Sequence, residues 1–415
     1  MSIRWLFLDL NSYFASIEQQ ENPRLRGKPV AVVPMLADST CAIAASYEAK
    51  AFGVKTGTRV SDARMMCPGI IFIEADHDLY VKYHHKIIEA VESCIPITAV
   101  MSIDEMICEL KGSQLDIENA KKLAMKIKKT LAEKVGEFVK CSVGIAPNRF
   151  LAKIGSDMQK PDGLTVLTKA DLPHKLHGLK LRDFTGIGSQ MEKRLRSAGV
   201  YQADVLCSLS KEMLRQIWGG VLGEHFYEWL RGNDTDQTTG RTKSISHSHV
   251  LPPDMRNMEG AHLVAQKLLH KAAFRLRKAN LWAGSLALYV SYEGEAPSFE
   301  NSTRVMECKD NFSLLEALQE LWKPLSESQE SRKSEERERP LKVAVWLNNL
   351  ISDEEHNLSF FENERGLQVS DALDQINTKF GKGSLYFGGV STGKQGEEVA
   401  PNRIAFTSIP DLDAD

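Results

Sequence analysis

Three carboxylates lie in segments that otherwise read as buried strands. Asp9 stands near the end of the apolar run IRWLFLDL, and Asp104 and Glu105 interrupt the run VMSIDEMICEL. A buried carboxylate is costly unless a cation compensates it. Acids on neighbouring strands repel each other unless divalent cations lie between them, and oxygen ligands suit Mg²⁺ or Mn²⁺. Two such ions about 4 Å apart activate a hydroxyl and stabilise an in-line phosphoryl displacement. The acids therefore predict a two-metal phosphoryl-transfer site.

Strand geometry leaves the role of the adjacent pair open. Successive residues of a regular strand point to opposite faces, so Asp104 and Glu105 cannot both face Asp9 from one strand. Either the pair lies at a strand end or hairpin, or only one of the two carboxylates binds metal directly. A solvated Asp–Glu turn is the structural alternative for the dipeptide alone.

The elements that must position these acids alternate between strand and helix up to about residue 167. After IRWLFLDL comes the helical segment NSYFASIEQQ, with Asn11 or Ser12 as its N-cap. This alternation predicts an α+β or α/β catalytic layer. Residues 168–237 are helical in pattern and contain a Gly-x-Gly turn. A polar linker then leads to a small α+β domain over residues 243–350, which is followed by a tail.

Length and composition indicate a globular protein of two to four domains. The chain has 415 residues, of which 42% are hydrophobic and 26% are charged. Seven cysteines without a CxxC pair indicate reduced thiols. We find no leader sequence and no apolar run of spanning length, so a cytoplasmic location without membrane contact is expected. The net charge of −3 includes −7 from residues 351–415, which leaves a body whose charge permits DNA binding.

Several longer motifs occur in a characteristic order. They are FLDLNSYFASIE, LRGKPVAVV, SYEAKAFGVKTG, SIDE, SVGIAPNRFLAKIGSDMQKPDGL and GIGSQMEKRLRSAGV. In order and spacing the chain resembles Y-family translesion DNA polymerases of the bacterial DinB/UmuC type, over roughly residues 4–350. The resemblance implies template-directed, low-fidelity transfer of deoxynucleotides to a primer 3′-hydroxyl, past damaged template bases.

The resemblance also implies an α+β multidomain fold, the right-hand polymerase with palm, fingers, helical thumb and α/β little finger. The implied limits are 1–20 and 79–167 for the palm, 21–78 for the fingers, 168–237 for the thumb with its helix–hairpin–helix, 238–242 for a linker, 243–350 for the little finger and 351–415 for the tail.

The family's metal ligands match Asp9, Asp104 and Glu105, with the backbone carbonyl of Leu10 near the metal. The resemblance therefore implies two Mg²⁺ ions, with Mn²⁺ as a substitute, that arrive with a deoxynucleoside triphosphate and a primer–template. Met106 stands where the family usually has a small residue, a departure that bears on the shape of the pocket.

The triphosphate contacts implied by the family fall on Tyr47, Lys50 and Lys160. Position 50 is more often arginine, and lysine keeps the charge but loses the bidentate fork. Phe14 matches the family's aromatic steric gate, whose ring lies under the sugar and clashes with a ribose 2′-hydroxyl. The alternative is that Phe14 is a core residue and Tyr13 faces the site.

Contacts to DNA are implied in two places. Gly186 and Gly188 in TGIGSQ would let backbone N–H groups approach a phosphate, although such a turn also serves as a plain helix connection. Further along the chain, four residues match the strand that the family's little finger lays along duplex DNA: Lys243, Ser244, His247 and His249. For each histidine, a solvated strand face is the alternative.

The tail segment HNLSFFENE resembles the bacterial sliding-clamp peptide. Asn357 replaces the usual glutamine, and Leu358, Phe360 and Phe361 are the apolar anchors. Adjacent exposed aromatic residues in an acidic segment suggest docking, either on the clamp or back onto the little finger. A monomer is expected.

Two rival functions share some of these features. A catalytically silent DNA- and clamp-binding scaffold of a mutagenesis complex would not need the three carboxylates. A nucleotide cyclase with the same palm would not need the hairpin motif or the domain that resembles the little finger.

Overall fold

The computed structural model describes residues 3–38, 40–235, 243–294, 296–330, 338–356, 363–381 and 384–387. They form two compact units, divided between Asp236 and Gln237, beside the linker predicted at 238–242. Among the described residues, no helix is both long enough and apolar enough to cross a membrane. All seven cysteines are free.

The first unit contains strands β1–β8 and helices α1–α10. The strands are β1 (Trp5–Leu10), β2 (Val30–Val33), β3 (Ala44–Ala45), β4 (Ile71–Glu74), β5 (Ala99–Val100), β6 (Glu105–Glu109), β7 (Cys141–Ala146) and β8 (Leu164–Val166). The helices are α1 (Tyr13–Glu21), α2 (Tyr47–Lys50), α3 (Val60–Met66), α4 (His77–Glu92), α5 (Ile117–Lys134), α6 (Arg149–Met158), α7 (Ser189–Ser197), α8 (Ala203–Ser208), α9 (Lys211–Trp218) and α10 (Val221–Leu230).

A five-stranded sheet in the order β5-β6-β1-β7-β8 forms the centre of this unit. β1 and β7 are buried along their whole length, as the apolar run IRWLFLDL predicts for β1. Leu6 and Leu8 pack with α4 and α5 on one face of the sheet, whereas Trp5 and Phe7 pack with α6 on the other. Because side chains alternate along a strand, Asp9 shares the face of Trp5 and Phe7. The sheet therefore directs Asp9 towards α6.

Two smaller assemblies complete the first unit. Strands β3-β2-β4 form a three-stranded sheet within the range predicted for the fingers, with a core of small side chains from β3, α2 and α3. Helices α7–α10 pack through residues such as Leu195, Trp218 and Phe226 against α6. The sheet that carries Asp9 is thus covered by helices on both faces.

In the part of the chain that the structure describes, the second unit is a sheet with helices on one face only. Its strands, in the order β11-β10-β12-β9 with β13 paired to β10, are β9 (Ser244–Val250), β10 (Leu281–Tyr292), β11 (Phe299–Cys308), β12 (Pro340–Asn348) and β13 (Ile351–Ser352). Its helices are α11 (Met258–Lys278), α12 (Asn311–Glu330) and α13 (Glu364–Phe380). Inward side chains of the sheet pack on α11 and α12, and the other face carries Ser244, Ser246 and Lys342.

Helix α13 is packed onto the second unit, so the predicted boundary at residue 350 lies inside that unit. Arg277 of α11 donates to both carboxylate oxygens of Asp374, at 2.7 and 2.9 Å. The Ser370 hydroxyl accepts a 3.0 Å hydrogen bond from the backbone N–H of Asn311. No sequence pattern predicts this docking, because the ion pair joins residues 97 positions apart.

Removing the acid of this ion pair should destabilise the second unit. Arg277 is almost fully buried, so Asp374→Asn leaves a guanidinium without its countercharge, and we expect a loss of about 3–5 kcal/mol in the free energy of unfolding. Denaturant titration of the full chain measures this loss. Asp371→Asn, an exposed acid on the same helix, is the matched control and should change little. Equal stability of the two variants would show that α13 contributes nothing through this pair.

Candidate active site

The register of the central sheet brings Asp9 and Glu105 together. The two residues are direct partners in the antiparallel pairing of β1 with β6, so their side chains lie on one face. The Lys153 ammonium group bridges them, 2.5 Å from Asp9 Oδ2 and 2.7 Å from Glu105 Oε1. The Lys160 ammonium group lies 2.6 Å from Asp9 Oδ1. Both oxygens of the buried Asp9 carboxylate therefore contact a cation.

Asp104 is held at the bend just before β6. Its backbone carbonyl accepts a 2.9 Å hydrogen bond from Leu10 N–H, and its Oδ1 accepts one of 2.6 Å from the Ser102 hydroxyl. The acidic pair thus lies at a strand end, the first of the two arrangements that the sequence left open. Burial, reinforced by the charges of Asp9 and Glu105, raises the pKa of the Asp104 carboxyl.

The donor set suits a hard divalent cation, although no ready cage is present. Within the described residues, no three acidic, histidine or cysteine side chains converge closely enough to hold a metal ion. The reason is visible in the contacts: Asp104 turns to Ser102, and Lys153 lies between Asp9 and Glu105. The carboxylate oxygens of Asp9 and Glu105 already contact lysine ammonium groups. Carboxylate oxygens are also the ligands that Mg²⁺ and Mn²⁺ take.

The sequence interpretation missed two charged residues of this cluster. Lys153 lies on α6, and Asp157, one turn later, contacts the ammonium groups of Lys153 at 3.1 Å and Lys160 at 2.6 Å. Asn148 caps α6 by accepting from Leu151 N–H, and its side-chain amide donates to the Trp229 carbonyl. The signal was the i, i+4 spacing of positions 153 and 157, which places both side chains on one helix face.

Tyr47 and Lys50 lie near the same carboxylates. The Lys50 ammonium group donates a 2.7 Å hydrogen bond to the Ser12 hydroxyl and lies 4.4 Å from the centre of the Tyr47 ring. Burial and the charge of Asp9 raise the pKa of the Tyr47 hydroxyl to about 12. Burial and the neighbouring Lys160 lower the pKa of Lys50. Tyr47, Lys50 and Lys160 are thus coupled electrostatically around Asp9.

Ser12 differs from the N-cap predicted by the sequence. It occupies the residue before α1, but its side chain makes no capping hydrogen bond, and its backbone is left-handed with φ = 49°. Its hydroxyl instead accepts from Lys50. Left-handed serine is uncommon and costs free energy, so this turn holds Ser12 in a strained conformation beside the site.

Phe14 and Tyr13 are both buried at the start of α1. The Phe14 ring lies 4.5 Å from the Tyr80 ring, measured between centroids, and the Tyr13 hydroxyl donates a 2.8 Å hydrogen bond to the Tyr80 carbonyl. Tyr13 is therefore tied to α4 by a specific bond. The assignment of Phe14 as the steric gate stays a prediction.

Met106 lies on the opposite face of β6 from Glu105. It is fully buried, pairs with Leu8 and packs in the core shared with α4 and α5. The unusual residue after the acidic pair therefore fills the core behind the sheet rather than the face that carries the carboxylates.

The glycine turn exposes backbone groups at the start of α7. Gly186 has φ = +91°, which favours glycine, and Gly188 is the N-cap of the helix. A Cβ at either position would meet no atom within 4 Å. Both backbones are open to an approaching ligand.

The residues of β9 that were predicted to contact DNA lie on two different faces of the strand. Ser244 is exposed and Lys243 precedes the strand, whereas His247 and His249 point to the side of α11. Burial, with Arg275 and Lys271, lowers the pKa of His247 to about 4, so the ring is neutral at physiological pH. This geometry favours Ser244 over His247 as a phosphate contact. The clamp-peptide residues Leu358, Phe360 and Phe361 lie outside the described residues.

Comparison with known proteins matches both units of the chain. Residues 8–157 match the impB/mucB/samB family, and residues 242–360 match the C-terminal domain of that family. DNA polymerase IV of Moorella thermoacetica is 36% identical over 68% of this chain and 72% of its own length. DNA polymerase IV of Pelotomaculum thermopropionicum is 31% identical over 92% of this chain and 93% of its own.

Solved structures show the same fold. A Y-family DNA polymerase chimera of Dbh and Dpo4 superposes with a TM-score of 0.66 at 24% identity and covers 84% of this chain and 99% of its own. DinB from Sulfolobus solfataricus has a TM-score of 0.53 at 25% identity, with the same coverage.

The fold and the relatives define a DNA-directed DNA polymerase of the right-hand, α+β multidomain class. The chain belongs to the impB/mucB/samB family, the Y-family translesion polymerases that the motifs indicated. The predicted fold class and enzyme class are confirmed, and the silent scaffold is not favoured.

Proposed function

We propose that this polymerase extends a primer with deoxynucleotides on a template through Asp9, Asp104 and Glu105 as metal ligands, with the Leu10 carbonyl beside them. The observation that supports this most directly is the pairing of Asp9 with Glu105 across β1 and β6, where their carboxylates bind ammonium groups. Bound Mg²⁺ ions would supply the charge that activates the primer hydroxyl and stabilises the displaced phosphate.

The chain's own cations serve the triphosphate in this proposal. Lys160 leaves Asp9 to bind phosphate oxygens, and Lys50 donates from its place beside Ser12. Burial, and after it the charge of Lys160, lower the pKa of Lys50, so anionic phosphate entering here would compensate the buried ammonium group and offset its repulsion from Lys160. Phe14 lies under the sugar.

Primer extension on a defined template with Mg²⁺ tests the proposal. The full chain should add single deoxynucleotides opposite the template base, opposite a damaged base as well, and Asp9→Asn should add none. If the unaltered chain binds primer–template but does not extend the primer, the result would favour the catalytically silent scaffold. Hydrolysis or cyclisation of nucleotides without a primer would point to the cyclase.

DNA is proposed to contact the Gly186–Gly188 turn, and a matched pair of variants tests this contact. Gly186→Ala and Gly188→Ala should each weaken primer–template binding about tenfold, because a methyl group blocks backbone N–H donors from a charged phosphate. Only Gly186→Ala should also lose stability, about 1–2 kcal/mol, because only its φ is positive. Fluorescence anisotropy and thermal unfolding measure the two effects. Unchanged affinity in Gly188→Ala would remove the turn from the DNA interface.

The open face of the second unit's sheet is the other proposed DNA contact, through Lys243 and Ser244. Small polar side chains such as Ser246 and Ser248 leave room for a phosphate backbone along β9. Lys342 adds positive charge from the neighbouring strand.

The tail is proposed to bind the sliding clamp through Leu358, Phe360 and Phe361. Replacing both phenylalanines by alanine should leave extension by the polymerase alone unchanged and reduce affinity for the cognate clamp by about 30-fold or more, the effect of losing an aromatic anchor. Clamp binding by surface plasmon resonance measures this. Tyr386→Ala, an exposed aromatic residue further along the chain, is the control. Equal clamp binding by all three proteins would refute the peptide assignment.

A further inference from the structure

Lys153 lies among three carboxylates at the place where the proposed metal ligands meet. Its ammonium group is 2.5 Å from Asp9 Oδ2, 2.7 Å from Glu105 Oε1 and 3.1 Å from Asp157 Oδ2. The side chain is only 17% exposed, and the Phe7 ring centre lies 5.4 Å from the ammonium nitrogen. Such a position makes Lys153 a member of the cluster rather than a surface charge.

The cluster compensates Lys153 strongly. Burial alone would lower the pKa of its ammonium group, but the charges of Asp9, Asp157 and Glu105 outweigh burial and raise it. The Lys153 ammonium group occupies oxygens of Asp9 and Glu105 that a divalent ion would use.

We propose that Lys153 is a built-in competitor of the metal: it neutralises Asp9 and Glu105 when no ion is bound, and it must leave both carboxylates before an ion binds. This inference rests on the metal ligands of the proposed function. It adds that the affinity for metal is set partly by a lysine of the chain itself.

Asp157 provides the alternative partner that such an exchange needs. It lies one helical turn after Lys153 on α6, at the i, i+4 spacing that brings two side chains together. It already contacts the Lys153 ammonium group, and its side chain is more exposed than that of Asp9. A small rotation of the lysine towards Asp157 frees Asp9 and Glu105 without leaving the ammonium group unpaired.

Lys160 is less suited to this role. It contacts Asp9 and Asp157 but not Glu105, and it lies beyond the end of α6 in the turn before β8. Lys153 alone among the described lysines bridges the two strands that carry the proposed ligands.

Manganese binding to the full chain, without DNA or nucleotide, tests the inference by electron paramagnetic resonance of free Mn²⁺. Lys153→Met should bind Mn²⁺ about tenfold more tightly than the unaltered chain. Lys128→Met removes a similarly buried ammonium group, paired with Asp162 outside the cluster, and should bind Mn²⁺ as the unaltered chain does. Affinity in Lys153→Met that is equal to or weaker than that of the unaltered chain would overturn the inference.

A second variant gives an effect of opposite sign. Asp157→Asn removes the alternative partner and should weaken Mn²⁺ binding several-fold. The same change should have no effect in a Lys153→Met background, because the competing ammonium group is then absent. Equal weakening in both backgrounds would show that Asp157 acts on the metal directly and that Lys153 is no competitor.

Asp9→Asn separates this inference from the metal-ligand proposal beneath it. If Asp9→Asn leaves Mn²⁺ binding unchanged in both backgrounds, the ligand set is wrong and the proposed function fails at the metal site. If Asp9→Asn removes Mn²⁺ binding but Lys153→Met does not tighten it, the ligands stand and only the competition by Lys153 is refuted.

Discussion

Asp104→Asn should stop nucleotide transfer and, in the absence of metal, raise the melting temperature of the protein. The amide keeps the shape of the carboxyl but cannot ligate Mg²⁺ as an anion, so we expect transfer to fall by about a thousandfold or more. Burial and the charges of Asp9 and Glu105 make the ionised carboxylate costly, so its removal should raise the melting temperature by roughly 2–4 °C. Single-turnover extension and calorimetry in EDTA measure the two effects.

The pH dependence of this stability difference has a definite sign. The pKa of Asp104 is higher in the folded protein than in the unfolded chain, so the folded state binds its proton more tightly. The stability that this proton provides is present at low pH and is lost as the pH rises through the raised pKa. Asp104→Asn should therefore be stabilising at neutral pH, and its advantage should shrink as the pH falls through that value.

Glu105→Gln is the control, because its contacts predict a different stability. Glu105 accepts the Lys153 ammonium group, so its amide loses an ion pair instead of relieving repulsion. We expect the same loss of nucleotide transfer with unchanged or lower stability. A lower melting temperature in both variants, with transfer retained, would show that the acidic pair is structural.

Part of the carboxylate site follows from local rules and part does not. Alternation along a strand acts on short segments of sequence and sets which side chains share a face, whereas the register that pairs Asp9 with Glu105 joins distant strands and came only from the structure. Asp104 lies just before the start of β6, which is one of the two alternatives that the sequence left open. The apolar run IRWLFLDL was enough to identify β1 as a buried strand.

Other features depended on contacts between distant segments and could not be predicted. Lys153 reaches Asp9 across 144 positions of sequence, and its role is set by the packing of α6 on the sheet. The segment of α13 was predicted to be part of an acidic tail, and its docking depends on the ion pair between Asp374 and the distant Arg277. His247 has the residue type of a DNA contact, but the pleat of β9 turns it towards α11.

The contacts of Phe14 in the folded chain do not test its assignment as the steric gate. Its ring is buried against Tyr80, and its neighbour Tyr13 is tied to the Tyr80 carbonyl. A core role therefore accounts for the packing of both side chains. That a nucleotide sugar lies against Phe14 stays a prediction.

Phe14→Ala should raise incorporation of ribonucleotides relative to deoxynucleotides by roughly 10- to 200-fold, the effect of a contact worth about 1–3 kcal/mol. The ring would no longer clash with the 2′-hydroxyl, while deoxynucleotide transfer would continue. The measurement is the ratio of kcat/KM for matched ribo- and deoxynucleotides opposite one template base. This ratio does not depend on the folded fraction, which matters because truncating a buried aromatic side chain also costs about 3–5 kcal/mol. Tyr13→Ala is the control: it should lose similar stability, since it also loses the hydrogen bond to Tyr80, and keep the ratio unchanged. If the ratio is unchanged in both variants, the gate does not lie on α1. If the ratio shifts in Tyr13→Ala alone, the gate is Tyr13 rather than Phe14.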